Sequence, residues 1–407
     1  MPLSATALDE PRAGNARHLR RLNLARILTI VMDQAKPFTR TELIQATGLS
    51  APTISSLVSS LGRGGLIRNL GTRPSQGGRR PAFMEFNARH GFVAGIDLGA
   101  TRTRLAVADL RGERLAHDVV PTPGGVGPAA LLSRLATALR ALLEQAQVPP
   151  GRLLAVGAGA PGAVDSERGV VVALAPNLKG WSDVPMAAIL KKALGAPLVV
   201  VENDVNLAIL GERWKGAARG HDTCAFVHLG TGIGAGIVVK GELHRGRHFL
   251  AGEIALMCMG PQFVDQDFGA RGCLETLASL RALAGRWPRG GGADPERWVA
   301  DLFEAAQNGD AQAHQAVRDA ATLIGIAAAN LSVVLDPSKI ILGGALATQG
   351  EPLVHEVKRI VGRIVPTPPE IVVSALGKEA PLWGCLLVAA RVAQERLQQR
   401  LGERRSA

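Results

Sequence analysis

The sequence contains few cysteines, and they are far apart. Cys224, Cys258, Cys273 and Cys385 are scattered along 407 residues, and no two of them have Cys-x-x-Cys spacing. A disulfide framework in a small secreted domain and a complete cysteine metal cluster both need closely spaced cysteines. The cysteine pattern therefore argues against both classes of protein.

Long apolar runs and a targeting segment are also missing. The longest weakly polar stretch, residues 224–239, contains His228 and five Gly or Thr residues in its middle, which makes it a poor membrane span. The chain starts Met-Pro-Leu-Ser, turns acidic and then becomes Arg-rich, without the apolar core of a signal peptide. We therefore expect a soluble cytoplasmic protein with no membrane partner.

Positive charge is concentrated at one end of the chain. The whole sequence carries 46 Lys and Arg against 35 Asp and Glu, a net charge of +11. Residues 1–90 hold thirteen of these cations and five of the acids, so this segment alone carries +8. Such a local excess suggests a polyanion as the partner of this segment. On charge alone, a solubilising imbalance in a chain from a GC-rich genome is an equal alternative.

Helical patterns with clear boundaries fill the basic segment. Thr39 and Glu42 have the spacing of a capping box at a helix start, Gly48 suits the left-handed position after a helix, and Ser50 is placed to cap the next helix. Apolar residues recur at i, i+3, i+4 and i+7 in two stretches, which predicts amphipathic helices. The two stripes are Leu24, Ile27, Leu28 and Val31, and Ile54, Leu57, Val58 and Leu61.

This arrangement predicts a winged helix-turn-helix domain over residues 15–88. A short helix, a three-residue turn and a helix with small hydroxyl residues on its polar face is typical of DNA recognition in the major groove. Two short strands around the turn at 71–78 would form the wing, with Arg73 near its tip. The candidate DNA contacts are Thr41, Ser50, Thr53, Ser55, Ser56, Ser59, Arg63, Arg79 and Arg80. A protein-interaction module with the same helices is the alternative.

Two glycine turns follow in the remaining chain, each between apolar runs. The first is Gly99-Ala100-Thr101 after Asp97, and the second is Gly230-Thr231-Gly232 within residues 228–236. Glycine has no side chain to block a phosphate from backbone N–H groups, so such turns can cradle phosphates. The matched pair, about 130 residues apart, suggests two duplicated lobes with a cleft between them. A strand rather than a helix follows each turn, which argues against a Rossmann fold. Plain hairpins are the alternative.

Polar residues follow the apolar run 198–201 as Glu202-Asn203-Asp204-Val205-Asn206. Proteins of the α/β class place binding chemistry at the carboxyl ends of buried strands. Asp204 is placed to accept a proton from a substrate hydroxyl, the general-base role in phosphoryl transfer. Capping of the helix that follows is an alternative role for Asp204, and the two are compatible.

Taken together, the motifs identify a resemblance to a known family. The chain resembles the ROK family (repressors, uncharacterised open reading frames and sugar kinases) over about residues 15–390, in the repressor branch that includes xylose and N-acetylglucosamine repressors. The joint at 75–81 (SQGGRRP) is similar to that branch. The matching motifs are 97–104 (DLGATRTR), 159–165 (GAPGAVD), 176–181 (PNLKGW), 202–206 (ENDVN), 229–234 (LGTGIG), 251–254 (AGEI), 272–275 (GCLE) and 342–344 (LGG).

The resemblance implies an α/β architecture in which the winged helix-turn-helix precedes a two-lobed actin-like (ribonuclease H-like) sugar-kinase fold. The expected divisions are a disordered N-terminus at 1–14, the DNA-binding domain, a sensor domain at 89–395 and a polar tail at 396–407. Within the sensor domain, one lobe would comprise about 89–215 together with the C-terminal helix. The other lobe would comprise about 216–380.

The resemblance also implies roles for individual residues. Asn203, Asp204, Glu253 and Glu275 would hydrogen-bond sugar hydroxyls, with Asp204 as the base in kinase members. The residues implied to lie near ATP are Asp97, Gly99, Thr101, Gly230, Thr231 and Gly232 at the phosphates, and Gly343 and Gly344 at the adenosine.

Departures from the family pattern concern the metal. The family's usual zinc ligands correspond here to Leu256, Gln266, Phe268 and Cys273, of which only Cys273 can bind zinc. A structural zinc needs about four nitrogen or sulfur ligands, so we predict no zinc and expect no cofactor. The loss of the usual imidazole at Leu256 also changes the implied sugar pocket. Ala345 replaces a third glycine near the implied adenosine position, and binding of ATP with Mg²⁺ stays an open question.

The combined prediction is a transcriptional repressor of carbohydrate metabolism genes that binds operator DNA and senses a sugar or sugar derivative. Helix-turn-helix proteins commonly bind paired half-sites, so a homodimer or a higher even oligomer is expected. The alternative is an ATP-dependent sugar kinase, acting through Asp204, with an appended DNA-binding domain.

Overall fold

The computed structural model describes residues 16–34, 36–72, 82–174, 178, 180–196, 198–288 and 295–403. The predicted disordered segment at 1–14 and the wing arginines Arg73, Arg79 and Arg80 lie outside these ranges.

Three helices and a two-stranded antiparallel sheet form the N-terminal domain. The residues of both predicted apolar stripes are buried in one core. The turn between the second and third helices has three residues, 48–50, as predicted. The elements are α1 (Ala16–Asp33), α2 (Arg40–Thr47), α3 (Ala51–Arg63), β1 (Ile67–Thr72) and β2 (Ala82–Phe86).

The predicted boundary signals are mostly confirmed. The Thr39 N–H donates to Glu42 Oε2 at 2.6 Å and the Glu42 N–H donates to Thr39 Oγ1 at 3.3 Å, which completes the capping box of α2. Gly48 ends α2 in the left-handed conformation, with φ at 70°. Ser50 holds the N-cap position of α3, but the predicted hydroxyl cap is wrong. The Ser50 Oγ instead lies 2.8 Å from the Thr53 Oγ1 and makes no capping bond to a backbone N–H.

Two five-stranded sheets dominate the sensor domain, and a separate two-stranded hairpin, β7–β8, lies in its first half. The strands in the first half of this domain are β3 (Phe92–Leu98), β4 (Arg102–Asp109), β5 (Arg114–Pro121), β6 (Leu153–Ala160), β7 (Ala163–Asp165), β8 (Val170–Ala173) and β9 (Val199–Asn203). Those in the second half are β10 (Cys224–Leu229), β11 (Ile233–Val239), β12 (Glu242–Leu243), β13 (Lys339–Gly343) and β14 (Glu370–Val373).

Both sheets have the same strand order. The first runs β5-β4-β3-β6-β9 and the second runs β12-β11-β10-β13-β14. In each, an antiparallel meander of three strands is continued by two parallel strands. The predicted glycine turns join the equivalent hairpins, β3–β4 and β10–β11. The prediction of duplicated lobes in a two-lobed α/β fold is therefore confirmed.

Helices cover both sheets. They are α4 (Pro128–Gln145), α5 (Met186–Leu194), α6 (Asp204–Lys215), α7 (Cys273–Ala278), α8 (Leu280–Arg286), α9 (Pro295–Gln307), α10 (Ala311–Leu335), α11 (Ala345–Thr348), α12 (Glu351–Ile364) and α13 (Ala380–Glu403). The stretch at 320–335 belongs to α10 and packs largely into the core of the second lobe. By length and composition α10 could cross a bilayer, but 56% of its most apolar stretch is buried within the protein.

The C-terminal helix α13 returns from the second lobe to pack on the first. Its contacts include β3, β6 and α6. Leu386 near its start and Leu397 towards its end share a hydrophobic core with Leu24 and Leu28 of α1. The helix continues to Glu403, so the segment at 396–403 is helical rather than a tail separate from the sensor domain. One helix thus contacts both the sensor sheet and the DNA-binding domain.

Candidate functional site

The carboxyl ends of β3 and β9 bring two of the predicted residues to the same sheet edge. Asp97 lies near the end of β3, and Asn203 ends β9, with β6 paired between the two strands. Gly159 of β6 leaves room between them, since a Cβ there would lie 2.9 Å from Leu207 Cδ1 and 3.7 Å from the Asp204 Cα. Asp204 begins α6 directly after this edge.

Asn203, rather than Asp204, caps α6. Its Oδ1 accepts from the N–H groups of Val205 at 2.9 Å and Asn206 at 3.0 Å, and its Nδ2 donates to the Gly162 carbonyl at 3.0 Å. Because both the oxygen and the nitrogen of this amide are hydrogen-bonded within the protein, Asn203 has a structural role at this position. Asp204 occupies the first helical position, where the N-terminal end of the helix dipole favours a carboxylate.

Glu202 and Arg245 form an ion pair that sequence reasoning missed. The Arg245 Nε donates to Glu202 Oε2 at 2.6 Å, and Glu202 is 2% exposed. The other oxygen of Glu202 accepts from the Asn203 N–H at 2.9 Å and the Asn206 Nδ2 at 3.0 Å. Glu202 lies in β9 of the first lobe, whereas Arg245 follows β12 of the second, so this pair joins the two lobes beside Asp204.

The second lobe contributes two acids. The buried Glu275, on α7, accepts from the Ile233 N–H at 3.0 Å through its Oε2. This bond ties α7 to the strand that follows the second glycine turn. Glu253 lies directly before a short 3₁₀ turn at Ile254–Leu256. Both residues therefore lie on the lobe that faces Asp97 and Asp204.

The charges of these acids act on one another in pairs: Asp204 with Asp97, Asp204 with Glu253, and Glu253 with Glu275. Burial, together with the negative charges of Asp97 and Glu253, raises the pKa of Asp204 to about 7. Burial and the nearby Glu275 carboxylate raise the pKa of Glu253 to about 7. Burial also raises the pKa of Asp97 to about 6, although the Arg104 guanidinium, 3.3 Å away, opposes this shift. The structure thus brings the predicted acids of both lobes into one cluster.

This cluster can act on hydroxyl groups. A carboxyl with a pKa near neutrality is able both to accept a proton from a hydroxyl and to return it. Carboxylates that lack their full complement of donors are also strong acceptors for hydrogen bonds from a sugar. The arrangement therefore suits a polyhydroxylated ligand between the lobes.

The glycines of the predicted phosphate turns also have local packing reasons. A Cβ on Gly99 would lie 2.6 Å from the Arg102 carbonyl oxygen, and one on Gly230 would lie 2.6 Å from His228 Nε2. The Gly230 N–H already donates to the Gly232 carbonyl at 3.0 Å. Thr101 and Thr231, at the same turns, are exposed. Both turns remain candidates for phosphate contact. The N–H of Gly230, however, is already used by a bond within its own turn.

Gly343 and Gly344 lie beside the second glycine turn. Gly343 pairs with His228 across the parallel strands β10 and β13. Gly344 has φ at 83°, and a Cβ on it would lie 2.4 Å from the Leu229 carbonyl oxygen. The residues of the predicted nucleotide site in this lobe are therefore adjacent in space.

The positions of the family's usual zinc ligands do not fit that metal. Leu256, Gln266, Phe268 and Cys273 line a cavity of about 270 Å³ together with the exposed Cys258. The Phe268 ring packs edge-on against Phe263, with centroids 6.0 Å apart. Among the residues that the structure describes, no group of three His, Cys, Asp or Glu side chains could hold a metal ion. Aromatic packing occupies the place of the missing ligands.

The candidate DNA-binding face is largely open to solvent. Thr41, Ser50, Ser55, Ser56, Ser59 and Arg63 are exposed. Thr53 is half-buried and bonded to Ser50, and the Ser56 Oγ accepts from Arg20 Nη1 at 3.0 Å. The polar face of α3 is thus available, while Arg79 and Arg80 lie outside the described residues.

Comparisons with known proteins agree with this geometry. The model of the ROK family matches residues 93–392. The xylose repressor of Caldicellulosiruptor bescii is 29% identical over 365 residues, which covers 86% of this chain and 90% of the relative. A ROK hexokinase from Thermus thermophilus is 33% identical with a TM-score of 0.63, and covers 75% of this chain and 99% of its own.

A solved ROK family transcriptional regulator, described as a homologue of the E. coli MLC protein, extends the likeness. It is 24% identical with a TM-score of 0.76, over 95% of this chain and 99% of its own. This likeness concerns the fold, and it includes the N-terminal domain that the hexokinase match leaves out.

The raised carboxyl pKa values predict how stability depends on pH. A carboxyl whose pKa is higher in the folded than in the unfolded chain holds extra protons when folded, so its contribution is complete below the unfolded pKa and is lost as pH rises through the folded pKa. With folded values of about 6 to 7, the ligand-free protein should lose stability between about pH 4 and pH 7. Asp204→Asn should make the melting temperature fall less steeply with pH. At pH 8 the variant should have a higher melting temperature than wild type, because the amide carries no charge to bury.

Asp301→Asn, at an exposed aspartate on α9, is the matched control and should leave the decline unchanged. Equal slopes in wild type and Asp204→Asn would show that Asp204 is not the buried, charge-repelled group described above.

Proposed function

The chain belongs to the ROK family, and from this premise we propose that it is a DNA-binding transcriptional repressor of carbohydrate metabolism genes that senses a sugar or sugar derivative. The observation that carries the proposal is the joining of two sites in one chain. A helix-turn-helix with an exposed hydroxyl face is packed, through α13, on a sugar-kinase fold whose cleft gathers four acids. The xylose repressor of C. bescii, which covers the same two parts, supports this pairing.

DNA recognition rests on α3. Its apolar stripe is buried in the N-terminal core, so the opposite face, with Ser55 and Ser59, is free to enter a major groove. Small hydroxyl side chains can donate to or accept from base edges and phosphates. The net charge of +8 over residues 1–90 supplies the long-range attraction to the phosphate backbone.

Sugar sensing rests on the acids between the lobes. Asp204 and Asp97 lie on the first lobe, whereas Glu253 and Glu275 lie on the second. A ligand whose hydroxyls reach both pairs binds the closed arrangement of the lobes more tightly than the open one, and this difference in affinity is what shifts a conformational equilibrium. Because α13 packs on both the first lobe and α1, a change in the lobes is transmitted to the placement of the DNA-binding domain.

The finer features of the proposal follow from this role. Operator DNA and a sugar effector are the partners, and a homodimer or a higher even oligomer matches paired half-sites. The protein acts in the cytoplasm without a membrane partner. It requires no cofactor, and its cavity at Cys273 holds no zinc.

The alternative function, ATP-dependent sugar phosphorylation, has a specific observation in its favour. Asp204 has the near-neutral pKa of a general base, and both glycine turns are placed at equivalent hairpins. The similarity to the T. thermophilus hexokinase supports this alternative. Asp204 would then take the proton from the sugar hydroxyl, and the turns would hold the phosphates of the nucleotide.

Replacement of Ser59 by Asp tests DNA recognition. Ser59→Asp places a negative charge on the exposed face of α3 and should weaken binding to the upstream region of the protein's own operon at least about tenfold, because one charge repelled from phosphate is worth more than 1 kcal/mol near the DNA. Fluorescence anisotropy with labelled fragments measures it. Ser133→Asp, at an exposed serine of α4, carries the same charge change and should bind like wild type. If wild type binds no such fragment with sequence preference, the repressor function is wrong.

A coupled ATPase assay with hexoses, pentoses and amino sugars separates the repressor from the kinase. The repressor proposal predicts no sugar-dependent turnover above background. Turnover that appears with one sugar and is abolished by Asp204→Ala would instead assign the kinase function to this cleft.

Metal analysis of the purified protein tests the cavity at Cys273. We expect far less than one zinc per chain, and no loss of melting temperature on treatment with a chelator, because Leu256 and Phe268 supply no ligand atoms. Stoichiometric zinc that survives dialysis would contradict this expectation.

A further inference from the structure

A second cleft lies between the DNA-binding domain and the first lobe of the sensor. Its volume is about 500 Å³, within the range of small-molecule sites. Arg63, Arg89 and Arg152 line it together with His90, and no residue of its lining is acidic. Neither the proposed DNA-reading face nor the cluster of acids between the lobes includes Arg89 or Arg152. The cleft therefore adds two cations, Arg89 and Arg152, to Arg63, which is also a candidate DNA contact.

The three arginines come from different elements. Arg63 lies in the last turn of α3, where the negative end of the helix dipole also favours a cation. Arg89 belongs to the short 3₁₀ turn Ala88–His90 that joins β2 to β3, and Arg152 directly precedes β6. Arg152 lies at no helix end. The convergence of the three arginines on one cleft is a product of the packing between the two domains.

Hydrogen bonds fix the walls of this cleft. The Arg152 Nη1 donates to the His90 carbonyl at 2.9 Å, and the Phe92 N–H donates to the Arg152 carbonyl at 2.9 Å. On the opposite wall, the Asn87 Nδ2 donates to the Gly65 carbonyl at 2.8 Å. Backbone contacts thus fix the position of Arg152 on one wall, and a side-chain contact fixes the backbone of the other.

We propose that this cleft binds a phosphate group. Guanidinium groups present paired N–H donors that match phosphate oxygens, and several of them without a competing carboxylate favour a multiply charged oxyanion. The phosphate comes either from the DNA backbone beside α3 or from a free phosphorylated metabolite. In either case, binding engages the DNA-binding domain and the first lobe together, through Arg63 on one side and Arg89 and Arg152 on the other.

The test uses the full-length protein and two probes. Inorganic pyrophosphate, titrated by calorimetry without DNA, reports a free phosphate ligand. A labelled fragment of the upstream region, titrated by anisotropy over a range of salt concentrations, reports contact with the DNA backbone. The variants are Arg89→Ala and the double variant Arg89→Ala/Arg152→Ala. Arg89→Ala keeps the Arg152 contact to His90 and guards against loss of folding in the double variant.

Arg134→Ala/Arg363→Ala, at exposed arginines on α4 and α12, removes the same charge elsewhere. If the source is DNA, the cleft variants should lose about tenfold in DNA affinity per arginine, and the slope of log affinity against log salt should fall by about one each. If the source is a free phosphate, pyrophosphate should bind wild type and lose about tenfold or more in affinity in the cleft variants. Either result supports the proposal.

Cleft variants that match the control with both probes would overturn it. That failure is distinguishable from failure of the repressor function. A wild-type protein that binds DNA through α3 but is indifferent to Arg89 and Arg152 loses only this inference. If the wild-type protein binds no DNA, the pyrophosphate titration alone tests whether the cleft binds phosphate.

Discussion

Close backbone packing between α13 and α6 sets the position of the first-lobe acids relative to the DNA-binding domain. The backbones of α6 and α13 are in direct contact at two glycines. A Cβ on Gly384 would lie 2.0 Å from the carbonyl oxygen of Leu207, and a Cβ on Gly211 would lie 2.2 Å from the carbonyl oxygen of Ala380. The Cys385 Sγ also donates to the Ile96 carbonyl of β3 at 3.3 Å. This packing fixes the N-terminus of α6, and with it Asp204. The far end of the same helix packs on α1, so the sugar site and the DNA-binding domain are both positioned by this helix.

The burial of the acids between the lobes costs free energy of folding, and this cost points to a role in ligand binding. Carboxyl groups buried beside one another cannot all be ionised, and the few protein donors at these groups replace only part of the missing solvation. A ligand with several hydroxyls supplies those donors and relieves the repulsion. The Arg245–Glu202 pair shows the other solution, in which a cation from the opposite lobe neutralises a buried carboxylate. A cluster left partly unsatisfied in this way is typical of a binding site, while the satisfied pair next to it holds the lobes together.

Sequence reasoning succeeded where the signal was local. The capping box at Thr39 and Glu42 and the two apolar stripes depend on neighbours within one helical turn, and the paired glycine turns indicated the duplicated sheets. It failed where two local partners compete. The Ser50 hydroxyl meets Thr53 instead of a backbone N–H, and Asn203, whose backbone is still extended as β9 ends, takes the capping role that Asp204 also fitted. Contacts across domains had no local signal at all, as with Arg245 on Glu202 and the arginines of the second cleft.

The central claim is that a sugar bound between the lobes changes the affinity of the same molecule for its operator. The direct measurement is the dissociation constant for the upstream fragment, with and without a sugar that raises the melting temperature, in wild type and in Asp204→Asn. Coupling between two sites typically changes affinity by about 5- to 150-fold. We predict a change in that range for wild type and none for Asp204→Asn. An operator affinity that is the same with and without every sugar that binds would contradict the account.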